Sequence, residues 1–192
     1  MKMGFTSLST ATGQELKLYI DSVIQDARQL PDRLLEAVRA LDVEAPGLPV
    51  TRYQHSLQSA TRALLDGRAE EYIVAALLHD IGDQLAPYSH GDYCAAIFKP
   101  YMSERMCWIV QTHPTFQVFH YGHKLGIDRN ARDVYRDHPW YQDAIEFSAM
   151  YDNRCFDPEY EAKPLEVFEP MVRRIFAVPR FRATSLESLQ VQ

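Results

Sequence analysis

Cysteine is scarce in this chain of 192 residues. Cys94, Cys107 and Cys155 form an odd set without Cys-x-x-Cys spacing, which excludes a disulfide framework and a cysteine zinc site. The three are expected to be buried thiols of a reducing cytoplasm. Long apolar runs are missing as well. No stretch approaches the ~20 residues that cross a bilayer, and MKMGFTSLSTATGQ has no apolar core behind its lysine. Neither a membrane span nor a secretory signal is expected. A basic excess is also absent: 20 Lys and Arg stand against 26 Asp and Glu, a net charge of −6. Nucleic acid as a partner needs clustered cations to neutralise its phosphates, so it is excluded here. A small phosphorylated molecule is a different matter, since one or two local cations or a metal suffice for it. Finally, the chain has no alternating strand pattern, no internal repeat and no low-complexity tract.

What is present is helix. Hydrophobic residues make up 46% and charged residues 24%, ordinary values for one soluble domain of this length. Leu16, Ile20, Val23, Ile24 and Ala27 recur at helical spacing, and Pro31 divides that helix from the next. VEAPGLPV (Val43–Val50) reads as a loop. The spacing then predicts helices from Thr51 or Arg52 to Leu65, Glu70 to Ile81, Tyr88 to Pro100 and Ser103 to Thr112, with Ser103 as N-cap. Asp137-His138-Pro139 starts another over Trp140–Tyr151, and Leu165–Ala177 is the last. The expected fold is a single all-α bundle. Residues 1–49 supply N-terminal helices and a loop, 50–177 the core, and 178–192 a tail.

Seven histidines are present, and the informative pair is His79-Asp80. It closes the apolar run Ile73-Val74-Ala75-Ala76-Leu77-Leu78, where two strongly polar side chains are costly to bury unpaired. A metal removes that cost, since imidazole and carboxylate both ligate iron, manganese or zinc. The plain alternative is a helix C-cap. His55 lies upstream in YQHSLQSATRA, and Asp152 lies downstream in FSAMYDNRCFD at another predicted helix end. Packed helices can bring all four side chains to one point.

The order His55, His79-Asp80, Asp152, with LLHDIGD around the central dipeptide, resembles the HD-domain superfamily of metal-dependent phosphohydrolases and related oxygenases over roughly Val50 to Phe176. The resemblance implies one ion on His55, His79, Asp80 and Asp152. A second would sit on His90, His113 and a bridging Asp80. HSLQSATRA and AALLHDIGD, with the compact His90…His113 pair, look most like the branch of bacterial hydroxyphosphonate oxygenases, and more distantly like the inositol oxygenases. That branch implies a mixed-valent Fe(II)/Fe(III) pair that uses O2 to cleave the C–P bond of a small hydroxylated organophosphonate, releasing phosphate. The alternative on the same scaffold is hydrolysis of a phosphate ester or nucleotide by a manganese-type ion that activates water. A metal-holding regulatory module is a third reading, against which the complete six-residue set speaks.

Two positions depart from the aminophosphonate enzymes of that branch. Asp83 stands where they have a histidine beside the ligands. Gln117 stands where they have a phosphonate-binding lysine, a role for which Lys124, Arg62 and Arg154 are candidates here. Aromatic side chains near the ligands, Phe116, Tyr121, Tyr88, Tyr93 and Phe119, suit a quaternary ammonium group by cation–π attraction, unless they are core. Gln58, one turn after His55, completes the substrate-side candidates, with Tyr53 beside it. His120, His123 and His138 are expected to be structural or to stand beside the ligands.

Overall fold

In a computed structural model of the chain, residues 4–180 are described, so most of the tail expected over 178–192 lies outside the described residues. Among the described residues there is no strand, and eight α-helices form one all-α bundle. They are α1 (Gly13–Ala27), α2 (Leu30–Ala40), α3 (Arg52–Leu65), α4 (Glu70–Leu78), α5 (His90–Phe98), α6 (Glu104–Tyr121), α7 (Tyr141–Phe147) and α8 (Glu169–Ile175). Several starts are chemically marked. Thr12 and Thr51 both close capping boxes with the residue three positions on, and Ser103 accepts from the Met106 amide.

Helix α4 is the axis of the bundle. Its residues from Tyr72 to Leu78 are all buried, as a helix apolar on every side must be. Helices α2, α3, α6 and α8 pack around it, and α5 lies along α6. By contrast α1 buries no residue.

Several boundaries differ from the sequence expectation. Helix α4 stops at Leu78 rather than Ile81, leaving His79 and Asp80 at its C-terminal edge. Helix α6 runs through Pro114 to Tyr121 instead of ending at Thr112. Pro114 offers no N–H to the Val110 carbonyl, which normally breaks a helix. Here the His113 Nδ1 lies 2.6 Å from that carbonyl and donates in place of the missing amide. Third, the helix expected over Trp140–Tyr151 ends at Phe147 and continues as one π turn, Ser148–Asp152, closed by Asn153 N–H donating to the Ser148 carbonyl at 2.9 Å. Such a turn inserts one residue into the helical count and re-aims the side chains at its end, here Asp152. The last expected helix is likewise a 3-10 turn, Leu165–Val167, followed by α8 with Pro170 in its first turn.

Candidate metal centre

Four imidazoles and two carboxylates converge where α3, the end of α4, α5, α6 and the π turn meet. His55 comes from the first turns of α3, His79 and Asp80 from the end of α4, His90 from the start of α5, His113 from the middle of α6, and Asp152 from the π turn. The six ligands expected from the resemblance are therefore brought together. Three overlapping groups at this junction have metal-ligand spacing: His55, His79 and Asp152; His79, Asp80 and His113; and, with Asp83 added to the six, Asp80, Asp83 and His90.

Asp80 divides the cluster in two. Its Oδ2 lies 3.4 Å from His55 Nε2 and 3.3 Å from His79 Nε2, while its Oδ1 lies 3.5 Å from His90 Nε2 and 3.2 Å from His113 Nε2. Within each half the two imidazoles face one another through Nε2, at 3.1 Å for His55 and His79 and 3.2 Å for His90 and His113. Each ring is turned this way by what holds its other nitrogen. His55 Nδ1 donates to the Cys155 carbonyl at 3.1 Å, His79 Nδ1 to the Ala76 carbonyl at 2.8 Å, and His113 Nδ1 to that of Val110. His90 Nδ1 lies 3.2 Å from Asp83 Oδ1. A carbonyl or carboxylate can only accept, so Nδ1 carries a proton and every Nε2 faces inward.

This donor set fits a cation and little else. Converging ring nitrogens and carboxylate oxygens need positive charge between them, supplied by protons or by a metal ion that displaces them. Asp152 sharpens the point: it is fully buried, its Oδ1 accepts from Gln117 Nε2 at 2.8 Å, and its Oδ2 has no hydrogen-bond partner. An orphaned buried carboxylate oxygen costs on the order of 1–3 kcal/mol or more. The electrostatics point the same way. Burial pushes the His79 imidazole down, but the Asp80 and Asp152 carboxylates outweigh it and raise the ring to about 9. Burial also acts to raise Asp80, yet the charges and hydrogen bonds of His79 and His113 hold it well below the usual carboxylate range. At His55 burial prevails, and that ring is pushed down.

One glycine makes the open side of the cluster possible. A Cβ on Gly91 would stand 2.6 Å from the Gln111 carbonyl oxygen and 3.0 Å from that of Val110. Without it, the start of α5 lies directly on α6, and His90 reaches His113.

A cleft of about 180 Å³ opens onto this cluster, lined by Leu48, Arg52, His55, Asp80, Asp83, His90, Gln117 and Phe156. Its volume is below the ~300 Å³ that begins the range for drug-sized ligands, so it suits a small molecule. Arg52 and Phe156 are functional candidates that sequence reasoning missed. Arg52 Nε donates to Asp83 Oδ2, and the Phe156 ring packs 4.6 Å from that of His55. The available signal for Arg52 was its position one helical turn before His55.

Of the substrate-side candidates, Gln117 lines the cleft and the others do not. Gln58 is buried, and both ends of its amide bind the Asp157 backbone, at 2.7 and 3.3 Å, bracing the loop after the π turn. Phe116 is fully buried among Trp108, Tyr135 and Tyr141, because it faces the aromatic core rather than the ligands. Tyr121 and Lys124 are exposed beyond the cleft, as are Tyr88 and Tyr93. Arg62 is stacked on Tyr160, and Arg154 lies against the Met150 sulfur. Asp83 touches both Arg52 and His90. His138 stacks on Trp108 at 3.8 Å, away from the cluster.

No family model matches the chain. A stretch of 41 residues is 58% identical to the 1-hydroxy-2-(trimethylamino)ethylphosphonate dioxygenase (glycine-betaine-forming) of Leisingera caerulea. The match covers 21% of this chain and 21% of that protein. It supports the resemblance to the hydroxyphosphonate oxygenases. No helix of the described residues is long and apolar enough to cross a membrane.

Proposed function

We propose that the chain is an O2-dependent, two-iron oxygenase of the HD-domain type that acts on a small hydroxylated organophosphonate and cleaves its C–P bond to release phosphate. The observation that carries the reading is Asp80, one oxygen of which faces His55 and His79 while the other faces His90 and His113. On this reading Asp80 would serve both ions, with His55, His79 and Asp152 holding one and His90 and His113 the other. When bound, the ions supply the redox chemistry with O2 that no side chain can perform. The partial identity to a phosphonate dioxygenase supports the substrate class.

The protein's own residues have separate tasks in this scheme. Carbonyl acceptors on His55, His79 and His113 hold each ring through Nδ1 and orient its Nε2 toward the site. Asp83 does the same for His90, and Arg52 in turn holds Asp83. Gln117 holds Asp152 Oδ1 and presents the rest of its side chain to the cleft. Phe156 and Leu48 give the cleft an apolar flank that excludes water from one side of the substrate.

The test is EPR spectroscopy of anaerobically iron-loaded, partially oxidised protein, before and after addition of hydroxyphosphonates, paired with O2 uptake and phosphate release. A mixed-valent signal that shifts with substrate, and O2 uptake matched by phosphate, are expected. Hydrolysis of a phosphate ester in Mn(II) under argon, with no O2 uptake on any phosphonate, would overturn the reading in favour of a phosphohydrolase.

A further inference from the structure

Among the described residues, Arg52 is the one lysine or arginine that lines the cleft over the donor cluster. Its guanidinium is held at one edge. Nε donates to Asp83 Oδ2, while Nη1 and Nη2 have no partner among the described residues. Neither of those two nitrogens is a buried orphan, so the free edge is open to solvent in a side chain that forms part of the cleft wall. Arg68 makes the contrast: it spends Nε on Tyr151 and Nη2 on Glu146, away from any ligand.

Two elements put Arg52 there. It is the first residue of α3, behind the capping box of Thr51 and Gln54, and His55 follows one turn later on the same face. From the other side, the turn after α4 presents Asp83, whose amide donates to the Asp80 carbonyl at 3.0 Å. Asp83 Oδ1 lies 3.2 Å from His90 Nδ1 and its Oδ2 accepts from Arg52. One carboxylate thus ties the guanidinium to the open side of the donor cluster. Both its oxygens are spent on these partners, so neither stands unpaired against an incoming anion. The other cations considered for such an anion are committed or distant. Arg62 stacks on Tyr160, Arg154 lies against the Met150 sulfur, and Lys124 is exposed beyond the cleft. Gln117 lines the cleft but brings no charge, and its amide is turned to Asp152.

We propose that the free Nη edge of Arg52 anchors the tetrahedral phospho group of the substrate, with Asp83 holding the guanidinium in place for it. The inference rests on the oxygenase reading for the identity of the substrate, but its chemistry is that of any phosphonate or phosphate monoester small enough for the cleft. Two parallel N–H donors match two oxygens of such a group, and hydrogen bonds between ionised partners are the strong ones. A guanidinium already fixed through Nε gives up less freedom when the anion arrives. Arg52 stays protonated throughout, so it binds and orients the substrate and takes no part in the bond changes.

The test reads binding without turnover. Iron(II)-loaded protein is titrated by calorimetry under argon with methylphosphonate, which lacks the hydroxyl, and with azide, a metal ligand that has no phospho oxygens. Arg52→Gln is expected to weaken methylphosphonate by about tenfold or more and azide by less than about threefold, the difference a lost charge-assisted grip makes. Arg52→Lys keeps the charge without the paired donors and is expected to fall between wild type and Arg52→Gln. Unchanged methylphosphonate binding in Arg52→Gln would overturn the anchor. Equal losses for both probes would overturn it too, because the residue would then act only through Asp83 and His90. Should Arg52→Gln lose its iron or its fold, Arg52→Lys carries the same comparison: a loss larger for methylphosphonate than for azide sustains the anchor, and equal losses overturn it. If no hydroxyphosphonate is turned over with O2 but Arg52→Gln still loses methylphosphonate, the function reading fails and the anchor stands. If turnover is intact and Arg52→Gln binds both probes normally, the anchor alone fails.

Discussion

The two halves of the donor cluster differ in how they meet water. His55, His79 and Asp152 are 2%, 0% and 0% exposed, and their supporting hydrogen bonds come from backbone carbonyls and Gln117. On the other side, the Asp80, His90 and Asp83 side chains retain 14–18% exposure and line the cleft, and His90 is held by a side chain rather than by backbone. The first half is built into the core, with only His55 reaching the cleft; the second pairs a buried His113 with an open His90 supported by Asp83 and Arg52. In metal sites generally, closed donor sets retain their ion and open ones leave a position for substrate. On the proposed two-ion reading, the first half would serve retention and the second substrate access.

The severest challenge to that division is Asp80→Ala, which removes the carboxylate shared by both halves. Metal content measured by mass spectrometry is expected to fall from about two ions to none, with turnover at background, because every other donor pair then lacks its common partner. Retention of one ion would show that the halves do not depend on Asp80. Next comes a matched pair, His79→Ala against His90→Ala. Breaking the buried half leaves Asp80 and Asp152 uncompensated, at about 3–5 kcal/mol. At roughly 2–4 °C per kcal/mol for a chain of this size, Tm drops by on the order of 10 °C. His90→Ala is expected to melt within a few degrees of wild type and to keep about one ion; equal melting losses would erase the distinction. Asp83→Asn tests the open half more gently. It weakens the acceptor for His90 Nδ1 and the hold on Arg52, and a loss of about 10–100-fold in metal affinity or activity is expected. The smallest effect is protonic. Because the His79 ring is raised to about 9, it carries a proton at neutral pH that an ion must displace. Calorimetric titration in buffers of different ionisation enthalpy should register about one proton released per ion entering the closed half.

Much of this contrast was legible in the sequence, unevenly. Helix α4 and its terminal His79-Asp80 stand out because an unbroken apolar run can only be a central helix, and polar residues closing it need a reason. The partnership of His55 and Asp152 follows from helices that must pack on α4. The path of α6 past Pro114 was not legible, since proline signals a helix end and the replacement donor is a side chain whose orientation only the fold sets. The π turn over Ser148–Asp152 was equally hidden, because no residue pattern separates a five-residue hydrogen-bonded step from a four-residue one. Among aromatics, chain proximity to a ligand misled: Phe116 follows His113 closely yet lies in the core, while Phe156, which does reach the cleft, sits in what reads as a loop. Arg129 and Arg132 look like surface charge in GIDRNARDVYRD. Arg132 is buried and Arg129 partly so because the Phe119 ring offers flat apolar faces on which guanidiniums can stack.

The bond between His113 and the Val110 carbonyl exists because Pro114 leaves that oxygen unused. Any other residue at 114 would bring an amide hydrogen to compete for it, and the imidazole would gain rotational freedom as the helix gained regularity. Replacing a mid-helix proline is an obvious first choice when a protein is selected for heat resistance. On the proposed metal-binding reading that selection would run against metal retention, so variants chosen for melting temperature alone would drift toward well-folded proteins that load ions poorly.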